Sequence, residues 1–144
     1  MMNLSAGSAA PETPNDPLEA GRSAFNGGDY FLAHELWEEV WREMPGPPVP
    51  AKRIVQGLIQ IAAGCHHLRE QRREPGVRLL EKGVAKLEVA ITVAAAGGPL
   101  VAAGTSLACQ ASRLRAFAEA VRGVAASWSG APGGAESDPA ALNF

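Results

Sequence analysis

The stretch Tyr30–Trp41, which reads YFLAHELWEEVW, constrains the fold more than any other part of the chain. Placed on a helix, with about 100° between successive residues, its apolar side chains form one broad face that must pack against other elements. The face consists of Tyr30, Ala33, Leu36, Trp37, Val40 and Trp41. His34 falls within this face and Glu38 at its edge. Because an unpaired buried polar group costs about 1–3 kcal/mol, we expect both side chains to find hydrogen-bond partners within the fold.

Caps and helix breakers divide the chain into five predicted helices. Asp16 is a suitable N-cap for the first, Asn26-Gly27-Gly28 is a stop signal, and Asp29 can cap the central helix. Helical periodicity resumes after a proline-rich loop, and no strand pattern is present. The helices are predicted over about residues 16–26, 29–44, 51–73, 77–96 and 105–126. We therefore expect an all-α fold, a roughly five-helix antiparallel bundle.

The length of 144 residues fits one domain. We expect the helical bundle domain over residues 16–126, between a disordered N-terminal tail at 1–15 and a flexible C-terminal tail at 127–144. Both tails are rich in Ala, Ser, Gly and Pro. Trp128 is a candidate docking point within the second tail. The first tail has no basic region and no apolar run before Pro11, so a secretory signal is not expected.

Charge and cysteine content limit the classes of partner. The formal net charge of -2 comes from scattered charges, which predicts neither a nucleic-acid partner nor an anionic membrane surface. Cys65 and Cys109 lie in apolar helical runs and are typical of a reduced, cytoplasmic protein, although one disulfide between them also remains open. Val89–Ser112 lacks charge, but Gly97-Gly98-Pro99 interrupts it, which favours two soluble helices over a membrane span.

A stripe of polar residues marks one side of the third helix. A solvated face usually carries Lys, Glu and Arg, whereas this stripe carries neutral amides and a histidine beside small residues. We therefore predict that it packs closely against the central helix, with His66 projecting elsewhere, at the surface. The stripe consists of Gln56, Gln60, His67 and Gln71, and the small residues are Gly57, Ala63 and Gly64.

Together these patterns predict a polar cluster of His34 and Glu38 with Gln60 and His67 between the two helices. The favoured interpretation is a buried hydrogen-bond network that fixes the register of the helices. In that case, replacing Gln60 by Leu should cost about 1–3 kcal/mol. The alternative is a divalent metal held by His34, Glu38 and His67, because imidazole and carboxylate suit zinc or iron.

A catalytic interpretation requires an acid, a base and a surface for the substrate. The candidate groups are Glu35 or Glu38 as base, His34 or His67 as acid, and Trp37 and Trp41 as the surface for a small molecule. The sequence supplies no activated nucleophile, and two Trp residues one turn apart are more typical of core.

Binding is therefore the favoured function, with an unknown small molecule or protein as ligand of the cluster. Self-association is a third hypothesis, because an Ala-rich face could pair between copies of the chain. That face includes Val93, Ala96, Val101 and Ala102.

Three segments resemble domain-of-unknown-function family 309, namely FNGGDYFLAHELWEEVW, GLIQIAAGCHHL and PGVRLLEKG. The likeness spans about Ser23 to Leu87. Its hallmark is a His-Glu pair followed by Glu and Trp on one helix, then Gly-Leu-Ile-Gln and a His on the next. The matching residues are His34, Glu35, Glu38, Trp41, Gly57, Leu58, Ile59, Gln60 and His67. Members often carry Gly-Asn before a Gly-Ala-x-x-Leu-Leu segment, where this chain has Arg73-Glu74-Pro75. The resemblance implies an all-helical fold and no assigned reaction.

Overall fold

The structure is a computed structural model, and it describes residues 17–44, 46, 50–95, 101–102, 105–106, 111–129 and 136–144. This part of the chain contains five α-helices, so the predicted all-α bundle is confirmed. The helices are α1 (Pro17–Asn26), α2 (Tyr30–Glu43), α3 (Pro50–Arg69), α4 (Arg73–Ala95) and α5 (Ala111–Trp128). Two short antiparallel strands, β1 (Val101–Ala102) and β2 (Thr105–Ser106), lie between α4 and α5, and a 3₁₀ turn, Pro139–Ala141, follows α5.

The α1–α2 hairpin forms through the predicted stop and cap. Helix α1 ends at Asn26, and Gly28 has φ +88°, a left-handed conformation that glycine adopts without strain. The Asp29 carboxylate then accepts a hydrogen bond from the Leu32 backbone N–H at 3.1 Å, as an N-cap does. The predicted Asp16 cap lies outside the described residues.

Helix α2 buries most of the predicted apolar face, including the whole of Trp37. The Trp37 indole packs onto Gly21 of α1, where a Cβ atom would collide with the ring. Its Nε1 donates a hydrogen bond to the Leu18 carbonyl at 3.1 Å. Leu36 and Trp41, predicted in the same face, are only partly buried. This helix is therefore held between α1 and α3, with one edge left open.

The boundary between α3 and α4 differs from the prediction. Helix α3 ends at Arg69, and Gln71 adopts a left-handed conformation with φ +63°. Helix α4 already begins at Arg73, so Pro75 lies in its first turn, where a helix does not need the missing N–H. The predicted helix boundaries at residues 73 and 77 are thus wrong, and Gln71 does not belong to the stripe on α3.

Helices α3 and α4 approach each other through glycines. A Cβ on Gly57 would lie 2.9 Å from the Gly83 carbonyl oxygen, and a Cβ on Gly64 would lie 2.9 Å from that of Gly76. The small residues beside the polar stripe therefore face α4. Gly57 and Gly64 thus contact α4 and not the central helix, because glycine allows close approach without specifying which helix approaches.

The last helix begins later than predicted, at Ala111, because Thr105 and Ser106 belong to β2. The buried core includes a cluster of aromatic rings contributed by α1, α2, α5 and residues 136–144. The rings are those of Phe25, Tyr30, Trp37, Phe117 and Phe144. Among the described residues, no helix combines the length and apolarity that a membrane span requires.

Residues 136–144 pack onto the bundle, in contrast to the flexible tail expected over 127–144. Leu142 and Phe144 are buried, and the Trp128 Nε1 donates a hydrogen bond to the Ser137 carbonyl at 2.6 Å. Trp128 therefore docks a segment of its own chain. Burial of these apolar side chains is the physical reason that this segment adopts a defined position. The expected N-terminal tail at 1–15 lies outside the described residues.

Candidate functional site

All three histidines of the chain lie in one line of ring contacts at the edge between α2 and α3. The Phe31 ring stacks on His34 with centroids 6.4 Å apart and lies 5.9 Å from His66, which is 6.3 Å from His67. Phe31 is 58% exposed, although it is a large apolar side chain. We call these four residues the histidine strip.

The ends of α2 and α3 are held together next to the strip. The Arg69 guanidinium donates a hydrogen bond to the Gly28 carbonyl at 2.7 Å and lies 4.6 Å from the centre of the Tyr30 ring. Because α2 begins where α3 ends, Phe31 and His34 in the first turns of α2 reach His66 in the last turn of α3. Residues three apart share one side of a helix, which aligns Phe31 with His34.

His34 and Glu38 face each other along the open edge of α2. The His34 Nε2 lies 3.7 Å from one Glu38 oxygen, and Arg42 lies 3.5 Å from the other. His34 and Glu38 both retain partial exposure, so an ion pair between them, formed when the imidazole is protonated, contributes little to stability. Glu35 is exposed on the outer side of the helix.

Three polar atoms in this region are closed off from solvent and form no hydrogen bond within the described part of the chain. They are His34 Nδ1, Gln60 Oε1 and His67 Nδ1. The expected network, in which a neighbour satisfies each group, is therefore not formed among these residues. Gln60 and His67 project about 60° from Gly57 and Gly64, which face α4, so they turn away from the central helix. His66 contacts the central helix instead, through Phe31.

The His67 imidazole has a lowered pKa. Burial lowers the pKa of His67 below its ordinary value of 6.5, and the nearby Arg72 and His66 lower it further. The imidazole is therefore neutral at pH 7. A neutral imidazole has one nitrogen that donates a hydrogen bond and one that accepts, so His67 can pair with either kind of group.

The metal hypothesis for His34, Glu38 and His67 finds no support in the geometry. Within the described ranges, no group of three or more His, Cys, Asp or Glu side chains lies close enough to hold a metal ion. The placement of His67 on the α4 side of α3 separates it from the edge where His34 meets Glu38.

The two Trp residues proposed as a substrate surface are in different environments. Trp37 is fully buried and bound to the Leu18 carbonyl, so no ligand of the strip can reach it. Trp41 is partly buried, and the Lys52 ammonium lies 4.8 Å from the centre of its ring. Gln56, one turn after Lys52 on α3, is also partly buried. Trp41 is thus the only one of the pair beside the open edge.

Phe31 and His66 contribute to the site although the sequence did not single them out. Phe31 lies outside the apolar face of α2, and an isolated Phe on a polar face is a weak signal. The available signal was its spacing, three residues before His34, which puts both rings on one edge of the helix.

Clefts among the described residues lie elsewhere on the molecule. Four of them, with volumes of about 290 to 490 Å³, are lined by α4, α5, the α3–α4 turn and residues 136–144. None of these four is lined by His34, Glu38, Gln60 or His67. The histidine strip is therefore an open surface, and none of these four clefts lies beneath it.

Residues 18–79 match the sequence model of the family described as Domain of unknown function (DUF309). The resemblance inferred from the motifs is therefore confirmed. The match spans α1, α2 and α3 and the first turns of α4, which is less than half of the chain.

Two curated relatives are similar to part of the chain. The uncharacterized protein YpuF of Bacillus subtilis (strain 168) is 38% identical over 60 residues, which are 42% of this chain and 33% of that protein. An uncharacterized protein of Aquifex aeolicus (strain VF5) is 30% identical over 67 residues, which are 46% of this chain and 20% of that protein. The chain thus covers a third or less of the length of these relatives. No solved structure matches it.

Proposed function

We propose that this domain binds a partner protein at the edge between α2 and α3, with the histidine strip at the centre of the surface. One observation carries the proposal: His34 and His66 both contact the exposed ring of Phe31, so two imidazoles and a large apolar side chain lie together at this edge.

The apolar content of this surface supports a protein partner. Phe31 and its neighbour Leu32 are 58% and 44% exposed, an arrangement that leaves adjacent large side chains in water. Exposed apolar side chains surrounded by polar groups are typical of protein interaction sites, and aromatic side chains often dominate the binding free energy there.

The polar groups indicate the chemistry of the partner. The outer side of α2 exposes Glu35, Glu39 and Glu43, which favours a partner with basic residues on that side.

A protein partner fits the geometry better than a small molecule. Small-molecule sites usually enclose most of the ligand, whereas the strip is an open surface and the buried Trp37 is inaccessible. The clefts described above lie on other sides of the bundle.

Site-specific photo-crosslinking tests this function. A photoreactive phenylalanine analogue replaces Phe31, and the matched control carries it at Val89, which is equally exposed, at 57%, on a different helix. In extracts of the native cells, we expect the Phe31 position to yield one adduct that excess wild-type chain suppresses and His66→Ala chain does not. Equal adducts at both positions, or equal suppression by both competitors, would contradict the proposal.

A further inference from the structure

Residues 136–144 lie in a groove of the bundle as a bound peptide would, with Phe144 at one end. The Asn26 side chain contacts the Phe144 backbone twice: its Oδ1 accepts from the N–H at 2.8 Å, and its Nδ2 donates to the carbonyl at 3.1 Å. The Arg22 Nε donates to the same carbonyl at 2.7 Å. Two side chains of α1 thus bind both backbone polar groups of one residue.

The Phe144 side chain fills an aromatic pocket. Its ring stacks on Phe117 with centroids 5.1 Å apart, meets the edge of Trp37 at 6.1 Å, and lies 5.8 Å from the Arg22 guanidinium. Leu142, two residues earlier, is also buried. The pocket therefore selects a large aromatic side chain at one position and an aliphatic one nearby.

The other end of the segment is held by side chains as well. The Ser137 carbonyl accepts a hydrogen bond from the Trp128 Nε1 at 2.6 Å. The Ser137 N–H donates a hydrogen bond to the Ser127 hydroxyl at 2.9 Å. Glu136 forms an ion pair with Arg73. An acidic residue at this end is thus part of the recognition pattern.

The segment itself has little structure of its own. The hydrogen bonds within it that the structure shows belong to one turn capped by Asp138. Its other contacts are made by side chains of the helices, and three of those, Arg22, Asn26 and Trp37, lie in the part of the chain that matches the family model. The segment lies outside that part. A shared helical core thus provides the groove, and a separate stretch of sequence occupies it.

We propose that this groove is a peptide-binding site whose ligand in this structure is residues 136–144 of the same chain, and that a second copy of the chain supplies the same segment in trans. A second copy is the occupant that the structure favours, because its segment carries the Glu, Leu and Phe that the groove contacts. The same contacts can form in trans when the chain concentration competes with the effective concentration of the tethered segment. The product is a dimer in which two copies exchange this segment.

A peptide probe tests the groove on the full chain. The probe is a fluorescent peptide of residues 136–144, and its anisotropy is measured with wild-type chain and with the Phe144→Ala variant. We expect the variant to bind the probe at least about tenfold more tightly, because its own segment competes less for the groove. The matched control is Asn143→Ala, which changes an exposed side chain of the same segment and should behave as wild type.

Two further variants make the result specific. Adding Asn26→Ala to Phe144→Ala should abolish probe binding, and a probe with Ala in place of its last Phe should not bind. If Phe144→Ala fails to fold by circular dichroism, Leu142→Ala takes its place as the weakened competitor. Probe binding that is equal in all these chains, or absent from all of them, would overturn the proposal.

Native mass spectrometry of mixed chains tests the second copy. Equal amounts of unlabelled and ¹⁵N-labelled wild-type chain, mixed at high concentration, should yield a mixed dimer, whereas Phe144→Ala chains should not. Probe binding without any mixed dimer would overturn the assignment of the second copy as the occupant. A mixed dimer that persists in Phe144→Ala would show that the copies associate through another surface, and would overturn it too.

Discussion

Gly57 of α3 and Gly83 of α4 lie directly opposite each other, so that the two helix backbones meet without side chains between them. A Cβ on Gly83 would lie 2.6 Å from the Gly57 carbonyl oxygen and 2.6 Å from the Ile61 side chain. This contact fixes the rotation of α3 about its axis. Gln60 and His67, about 60° away from the glycine face, are consequently held at the edge of the helix pair.

Substitution of Gly83 by Ala should destabilise the fold. The added methyl group collides with backbone on one side and with Ile61 on the other, and overpacking of this kind costs about 1–3 kcal/mol. The measurement is the free energy of unfolding from urea denaturation. The matched control is Gly123→Ala in α5, where nothing lies within 4 Å of the new Cβ and where helix propensity should add about 0.5–1 kcal/mol of stability. Equal stability of the two variants would contradict the close approach.

The sequence predicted the positions of the helices better than it predicted which helices pack against each other. Helical periodicity and the Asp29 cap placed α2 correctly, because both are local properties of the chain. The helix that packs on Gly57 and Gly64 could not be predicted, since the angular position of a glycine says which side of α3 it occupies and not which helix lies there. Residues 136–144 were missed because three buried side chains in a short segment create no periodic pattern.

Replacing Gln60 by Leu should leave stability equal or raise it by up to about 1 kcal/mol, in contrast to the loss expected from the sequence alone. The reason is that Gln60 Oε1 is closed off from solvent without a partner among the described residues, so its removal relieves a desolvation penalty. Urea denaturation measures the change. A loss of about 1–3 kcal/mol would instead support the interpretation that Gln60 belongs to a buried hydrogen-bond network.

His67 should make stability depend on pH near neutrality. Burial lowers its pKa in the folded state, so between that pKa and the unfolded value of 6.5 the unfolded chain binds more protons. The contribution of His67 to stability is therefore complete above pH 6.5 and is lost as the pH falls through the folded-state pKa. The measurement is the unfolding free energy of wild type and of His67→Gln from pH 8 downward. Below about pH 6.5, wild type should lose stability relative to the variant. A constant difference would contradict this assignment.

An NMR titration checks the same group directly. The midpoint of the His67 imidazole should lie below 6.5, because burial and the neighbouring Arg72 oppose its protonation. A midpoint at or above 6.5 would show that the ring is solvated and that the lowered pKa is wrong.

The thiol of Cys65 should be unreactive in the folded protein. It is fully buried, and burial raises its pKa to about 12 although Arg69 opposes the shift, so almost no thiolate exists at pH 8. The Cys109→Ser variant isolates this thiol for titration with a disulfide reagent. We expect no reaction in buffer and one equivalent in denaturant. Rapid reaction of the folded variant would indicate an accessible thiolate.

The aromatic cluster around Trp37 has a consequence for dissecting related proteins. Phe25 and Trp37 lie within the stretch that aligns with the family, whereas their ring partners Phe117 and Phe144 lie beyond it. An excised fragment of residues 18–79 would therefore expose both rings to water and tend to aggregate. The stretch that aligns is smaller than the unit that folds, because the core rings of this chain come from both sides of its boundary.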